Sequence, residues 1–129
     1  MSRKEATIQL KLQHANSALK EAEVLLQNNL YNGAVSRMYY ACFHATLALL
    51  LTKDLAPKTH KGAATELHKH FVLEGNFNKR YAGFYSDLMQ QRTDSDYGDF
   101  SIITKEKAEQ LMLSAKEYID YIISLLTAP

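Results

Sequence analysis

The stretch Tyr31-Asn32-Gly33-Ala34-Val35-Ser36-Arg37-Met38-Tyr39-Tyr40-Ala41-Cys42-Phe43-His44-Ala45, continuing through Ala48, Leu49 and Lys53, decides the fold. Ala34, Met38, Ala41, Ala45, Ala48 and Leu49 recur along it at helical spacing and fall on one stripe. Most of that stripe is alanine, and small side chains let a neighbouring helix approach closely. The segment therefore reads as a central helix from about Tyr31 to Lys53. Asp54 to Pro57 breaks it, because Pro57 disfavours helical geometry at Ala56.

Other helices follow on both sides. Ahead of it, a helix is expected from about Ser2 to Asn28. Ser2 and Glu5 have capping-box spacing, and Ile8, Leu12, Ala15, Leu19, Ala22 and Leu26 form its apolar face. Behind it, a third segment starts at the N-cap Thr59 and ends near Gly75. A fourth runs from about Asn78 to Arg92. Thr93 to Ser101, rich in aspartate, reads as a loop. A fifth runs from the N-cap Thr104 to about Thr127, with Ala108, Leu111, Met112, Ala115, Ile119, Ile122 and Leu126 on its stripe. No strand is expected. The fold class is all-α: an antiparallel up-and-down helix bundle of four long helices plus one short helix, forming one domain over 1–129.

Composition agrees with this. The chain has 129 residues, enough to bury a core without metal or disulfides. Five glycines and two prolines are too few for a sheet with many turns. The net charge of +1 demands no nucleic acid, yet leaves room for a local basic patch. A single cysteine, Cys42, cannot form an internal disulfide; it fits a reducing cytoplasm and reads as a core residue. The apolar run from Ala41 to Leu51 is short for a bilayer, so a cytoplasmic protein with no membrane partner is expected. Some of Tyr81, Tyr85, Tyr118 and Tyr121 are expected at an interface.

Three constellations can carry chemistry. Arg37, Tyr40 and His44 lie three and four residues apart on the central helix and share a side of it. Together they offer a guanidinium, a phenol and an imidazole for holding a phosphate or moving a proton; the alternative is a polar helix–helix seam. Lys58-Thr59-His60-Lys61-Gly62 opens the third helix, where free N–H groups favour anions, though it lacks the glycines of a P-loop; the alternative is a plain cap with solvated lysines. Arg92-Thr93-Asp94-Ser95-Asp96-Tyr97-Gly98-Asp99 joins an arginine to an acidic run; the alternative is a helix end and turn. That run is not an EF-hand, since Asp99 and Lys105 stand where the glycine and glutamate are needed. His68 and His70 are two apart and face different ways, so no metal site is expected.

The same three blocks carry a family resemblance. Tyr31 to Ala45 resembles the second helix of the HEPN family. Lys58-Thr59-His60-Lys61-Gly62 resembles the lysine–threonine–histidine turn of its small uncharacterised branch. Arg92 with Asp96-Tyr97-Gly98 resembles that branch's arginine followed by an aspartate–tyrosine pair. The blocks come in the family's order and span nearly the whole chain. The resemblance implies a helix bundle, commonly a homodimer. It also implies a nucleotide- or RNA-binding role of toxin–antitoxin type, with a nucleotidyltransferase-like antitoxin as partner and no cofactor. In ribonuclease members an arginine and a following histidine cleave RNA without metal. Here Arg92 takes the arginine's place and Tyr97 stands where the histidine would be. The expected catalytic set is Arg92, His44 and Tyr97; the expected ligand contacts are Arg37, Tyr40, Lys58, His60 and Asp96. Two alternatives stand beside a binding module: a metal-independent RNA endonuclease toxin, and a non-catalytic protein-interaction module.

Overall fold

A computed structural model describes residues 1–97 and 103–128, with the side chains of Ser95 and Tyr97 set aside. Its described residues form helices α1 (Arg3–Gln27), α2 (Tyr31–Leu51), α3 (His60–Leu67), α4 (Lys79–Tyr97) and α5 (Lys105–Thr127). A π-helical turn, His68–Val72, continues α3. No strand occurs among the described residues. The all-α bundle is as the periodicity predicts.

Local chemistry sets the boundaries. The side chains of Ser2, Thr59 and Thr104 each accept the N–H three residues on, at Glu5, Gly62 and Lys107, and so cap α1, α3 and α5. In α1 the box is half made: the Ser2 hydroxyl also donates to the Glu5 carboxylate at 3.2 Å. Asn29 (φ 63°) and Asp54 (φ 59°) take the left-handed conformation just after α1 and α2, where asparagine and aspartate are tolerated.

Helix α2 is the hub, packing on α1, α3, α4 and α5. Ala34, Ala41, Ala45 and Ala48 are fully buried on it, and Ala15, Ala18 and Ala22 are buried on α1. Alanine against alanine lets α1 and α2 run close together, as the stripe predicts. By length and composition α2 would pass for a membrane span. Its apolarity is accounted for by burial on several sides within the bundle. Cys42 is fully buried, as expected of a core residue, and burial raises its thiol pKa.

One expectation needs correction. Thr93–Tyr97, read as loop, continues α4. The polar residues there bond within the helix one turn apart. The Gln90 amide donates to Asp94 at 2.9 Å, the Thr93 hydroxyl donates to the Met89 carbonyl at 3.0 Å, and Arg92 pairs with Asp96 at 3.5 Å. Arg92 therefore lies inside α4 and not at its end. The remainder of the expected loop, 98–101, lies outside the described residues. Of the four tyrosines expected in part at an interface, Tyr85 and Tyr118 are fully buried in the core. Their rings stack 5.5 Å apart, and the Tyr118 hydroxyl and Thr46 Oγ1 lie 2.7 Å apart. Tyr81 and Tyr121 stack at 4.5 Å nearer the surface, where the Tyr121 hydroxyl accepts the Asn78 N–H ahead of α4.

Candidate functional site

The bundle brings Arg92 of α4 to the Tyr39–Tyr40 pair of α2. One guanidinium nitrogen of Arg92 donates to the Tyr40 hydroxyl at 3.3 Å. The guanidinium carbon lies 5.3 Å from the centre of the Tyr39 ring and 5.7 Å from that of Tyr40. These are cation–π distances. The Arg92 side chain is only 16% exposed, and its Nε is buried with no hydrogen-bond partner among the described residues. Asp96 offers a carboxylate on one side at 3.5 Å. Arg92 thus keeps a donor in reserve, and a hydrogen-bond donor left unmade in a buried place is a cost that a ligand can relieve.

Arg37, one turn before Tyr40, lays its guanidinium over the Tyr40 ring at 4.7 Å. Tyr40 is thus held between two guanidinium groups. The nearest carboxylate to Arg37 is Glu21, at 3.9 Å. That exposed pair contributes little.

His60 enters from the first residue of α3. Its Nδ1 lies 2.7 Å from the Tyr39 hydroxyl. Its ring is 4.4 Å from Phe43 and 5.7 Å from Tyr40, centre to centre. The cap on Thr59 fixes this entry: the Thr59 side chain accepts the Gly62 N–H at 2.9 Å. Burial lowers the His60 pKa, and the nearby Arg92 charge lowers it further, so His60 is neutral at pH 7. Burial raises the pKa of Tyr39, which therefore keeps its proton. A neutral imidazole, a phenol and a guanidinium that stays charged make a set able to bind an anion and pass a proton.

Four expected residues, Arg92, Arg37, Tyr40 and His60, meet in this one cluster, with Asp96 at its rim. His44 is held differently. It packs edge-on to His14 of α1 at 5.2 Å and beside Phe43 at 5.6 Å. No direct contact with Arg92 is among its interactions. Lys58 is exposed, with no ion pair among the described residues, and the Tyr97 side chain lies outside them. His70 sits apart, 3.0 Å from Glu66. No cluster of metal-ligating residues occurs among the described residues.

Tyr39 and Phe43 were not singled out from the sequence. They are one turn apart and their rings stack at 6.0 Å, so helical spacing from Tyr39 was the available signal. His14 was also missed, and nothing in its own neighbourhood of α1 marks it out.

The HEPN domain family model matches residues 8–125. The chain belongs to the HEPN family. Among its relatives, a Thermotoga maritima protein named "UPF0332 protein" is 32% identical over 126 residues, covering 98% of this chain and 96% of the relative. A Methanocaldococcus jannaschii protein named "Putative toxin MJ0605" is 37% identical over 115 residues, covering 89% and 85%. A second from that organism, "Putative toxin MJ0142", is 33% identical over 101 residues, covering 78% and 69%. The Arg92–Tyr40–His60 cluster lies well inside the matched HEPN region.

Proposed function

We propose that this HEPN chain is a toxin-like RNA- or nucleotide-binding protein whose anion site is the cluster of Arg92, Tyr40, Arg37 and His60. The observation that carries the reading is the Arg92 side chain. It is largely buried, braced on two tyrosines, and has an Nε without a partner among the described residues. Guanidinium groups match phosphate geometry. The toxin names of two relatives support the coarser role. A homodimer, and a nucleotidyltransferase-like antitoxin that restrains it, complete the proposal. Asp96, 3.5 Å from Arg92, adjusts the charge at its edge, and exposed Lys58, two residues before His60, is assigned with it as a ligand contact.

A second reading, metal-independent RNA cleavage, is favoured by one observation. His60 reaches the Arg92 cluster from α3, which supplies a histidine despite Tyr97 standing at the motif position. In that reading neutral His60 takes the proton of a 2′-hydroxyl. The 2′-oxygen then attacks its adjacent phosphorus, the bond to the 5′-oxygen breaks, and the leaving 5′-oxygen takes a proton from water. Arg92 stabilises the charge that develops on the phosphate oxygens. His60 is the base this reading uses, because it touches the tyrosine beneath the Arg92 guanidinium and His44 does not.

The test is incubation of the purified chain with labelled RNA in EDTA, beside Arg92→Ala and His60→Gln. A binding role predicts a retained, uncleaved RNA that Arg92→Ala releases. Cleavage products that vanish in both variants would establish the second reading. RNA neither bound nor cut by the wild type would refute both.

A further inference from the structure

The contact between Tyr39 and His60 has a direction that decides what the cluster can do. Tyr39 Oη and His60 Nδ1 lie 2.7 Å apart. Either atom can supply the hydrogen, and the two cases give His60 opposite chemistry. If Nδ1 donates, Nε2 carries a lone pair and can act as a base. If the tyrosine donates, the proton of a neutral ring sits on Nε2, which is then a donor.

We propose that Tyr39 is a positioning residue that locks His60 as a donor: the Tyr39 hydroxyl donates to Nδ1, and Nε2–H joins Arg92 in holding the oxygens of one phosphate. The inference rests on reading the Arg92 cluster as an anion site. It deepens that reading, since a ring held this way has no lone pair to take a 2′-hydroxyl proton.

Three observations set the direction. Tyr39 is fully buried, and a buried hydroxyl needs an acceptor. Among the described residues its hydroxyl bonds to His60 Nδ1 alone. The Tyr85 ring stacks on Tyr39 at 5.9 Å, but its hydroxyl makes no hydrogen bond there. A donating Nδ1 would therefore leave the Tyr39 hydrogen buried and unpaired. The separation of 2.7 Å is ordinary for a hydroxyl donor and short for a ring N–H donor. The Arg92 guanidinium carbon stands 5.3 Å from the Tyr39 ring centre, and a positive charge there makes the phenol a better donor and a poorer acceptor. Burial and Arg92 keep the imidazole neutral, so it has one N–H to place. The rings of Phe43, Tyr39 and Tyr40, at 4.4, 5.5 and 5.7 Å, hold its plane. Arg92 Nε also lacks a partner among the described residues. Unengaged N–H groups on a histidine and an arginine of one cluster suit an oxyanion, which offers acceptors only.

The experiment has two readouts on the full chain. With isotope-labelled histidine at pH 7, NMR correlations across the imidazole show which nitrogen carries the proton, and His60→Gln assigns the signals. Wild-type His60 should carry it on Nε2. Tyr39→Phe should raise the His60 pKa, because a bond donated to Nδ1 favours the neutral ring. A bond donated by Nδ1 favours the charged ring, and its loss would lower the pKa. The second readout is affinity for a labelled oligoribonucleotide of about ten residues. His60→Ala should bind about tenfold more weakly, as for a lost hydrogen bond to a charged group. His60→Gln should recover part of that loss, because its amide supplies an N–H. Circular dichroism checks that each variant folds. Wild-type His60 protonated on Nδ1, or a His60 pKa that falls or stays in Tyr39→Phe, would overturn the proposal. So would His60→Gln binding as weakly as His60→Ala. Unchanged affinity in His60→Ala, with binding lost in Arg92→Ala, would overturn it while leaving the Arg92 site in place. Undiminished binding by Arg92→Ala would instead remove the reading on which the inference rests.

Discussion

Two buried tyrosines that look alike in the sequence have opposite hydrogen-bond fortunes. Tyr118 and Thr46 share a hydrogen bond at 2.7 Å, whereas the Tyr85 hydroxyl is buried with no hydrogen-bond partner among the described residues. Tyr118→Phe should therefore cost about 1 kcal/mol, the net worth of an intramolecular hydrogen bond. Tyr85→Phe should be neutral or stabilising, because it removes a hydroxyl that gains nothing from burial. Urea denaturation of both variants decides this, and equal losses would contradict it. His44 gives a second prediction at this scale. In the unfolded chain it titrates near its ordinary 6.5, but in the folded chain near 4. As pH falls below 6.5 the unfolded state takes up the proton first, so stability drops through that window until the folded pKa is passed. His44→Gln should flatten that part of the stability profile against pH. A profile as steep as that of wild type would show that other groups set it. Of the single residues that matter, Arg92, Arg37, Tyr40 and His60 were legible because their types suit phosphate. Tyr39 and His14 were not, since their relevance arises only from what α3 and α2 bring to them.

Short segments carry the site, and their ends are where reading a sequence succeeds or fails. The caps at Ser2, Thr59 and Thr104 were legible because each is a side chain bonding three residues along its own chain. The end of α4 was not, because aspartate and threonine support a turn or an i,i+4 bond equally well. Arg92 and Asp96 chose the latter. The opening of α3 is the segment most exposed to change. A Cβ added at Gly62 would lie 2.7 Å from Thr59 Oγ1, the atom that accepts the Gly62 N–H. Within a helix, glycine to alanine ordinarily stabilises by up to about 1 kcal/mol. Here Gly62→Ala should instead destabilise by about 1 kcal/mol, the value of a lost cap, and should displace His60. A denaturation midpoint that rises would contradict this. Overpacking the α1–α2 seam acts on the same scale: Ala22→Leu, at a fully buried position, should cost about 1–3 kcal/mol.

At the scale of the whole molecule, one helix explains both the fold and the site. Helix α2 buries an alanine stripe against α1 while its Arg37, Tyr39, Tyr40 and Phe43 form the floor on which α3 and α4 deliver His60 and Arg92. Its apolar periodicity made the bundle legible in the sequence. The meeting of residues from positions 37 to 92 was not, because spacing along a chain says nothing about which helix ends lie side by side. The most direct measurement is oligoribonucleotide binding by wild type, Arg92→Ala and Arg80→Ala in one buffer. Each variant removes one positive charge, and Arg80 stacks on Tyr81 away from the cluster. The account predicts a loss of about tenfold or more for Arg92→Ala and little change for Arg80→Ala. Equal effects of the two substitutions, or none from Arg92→Ala, would contradict it.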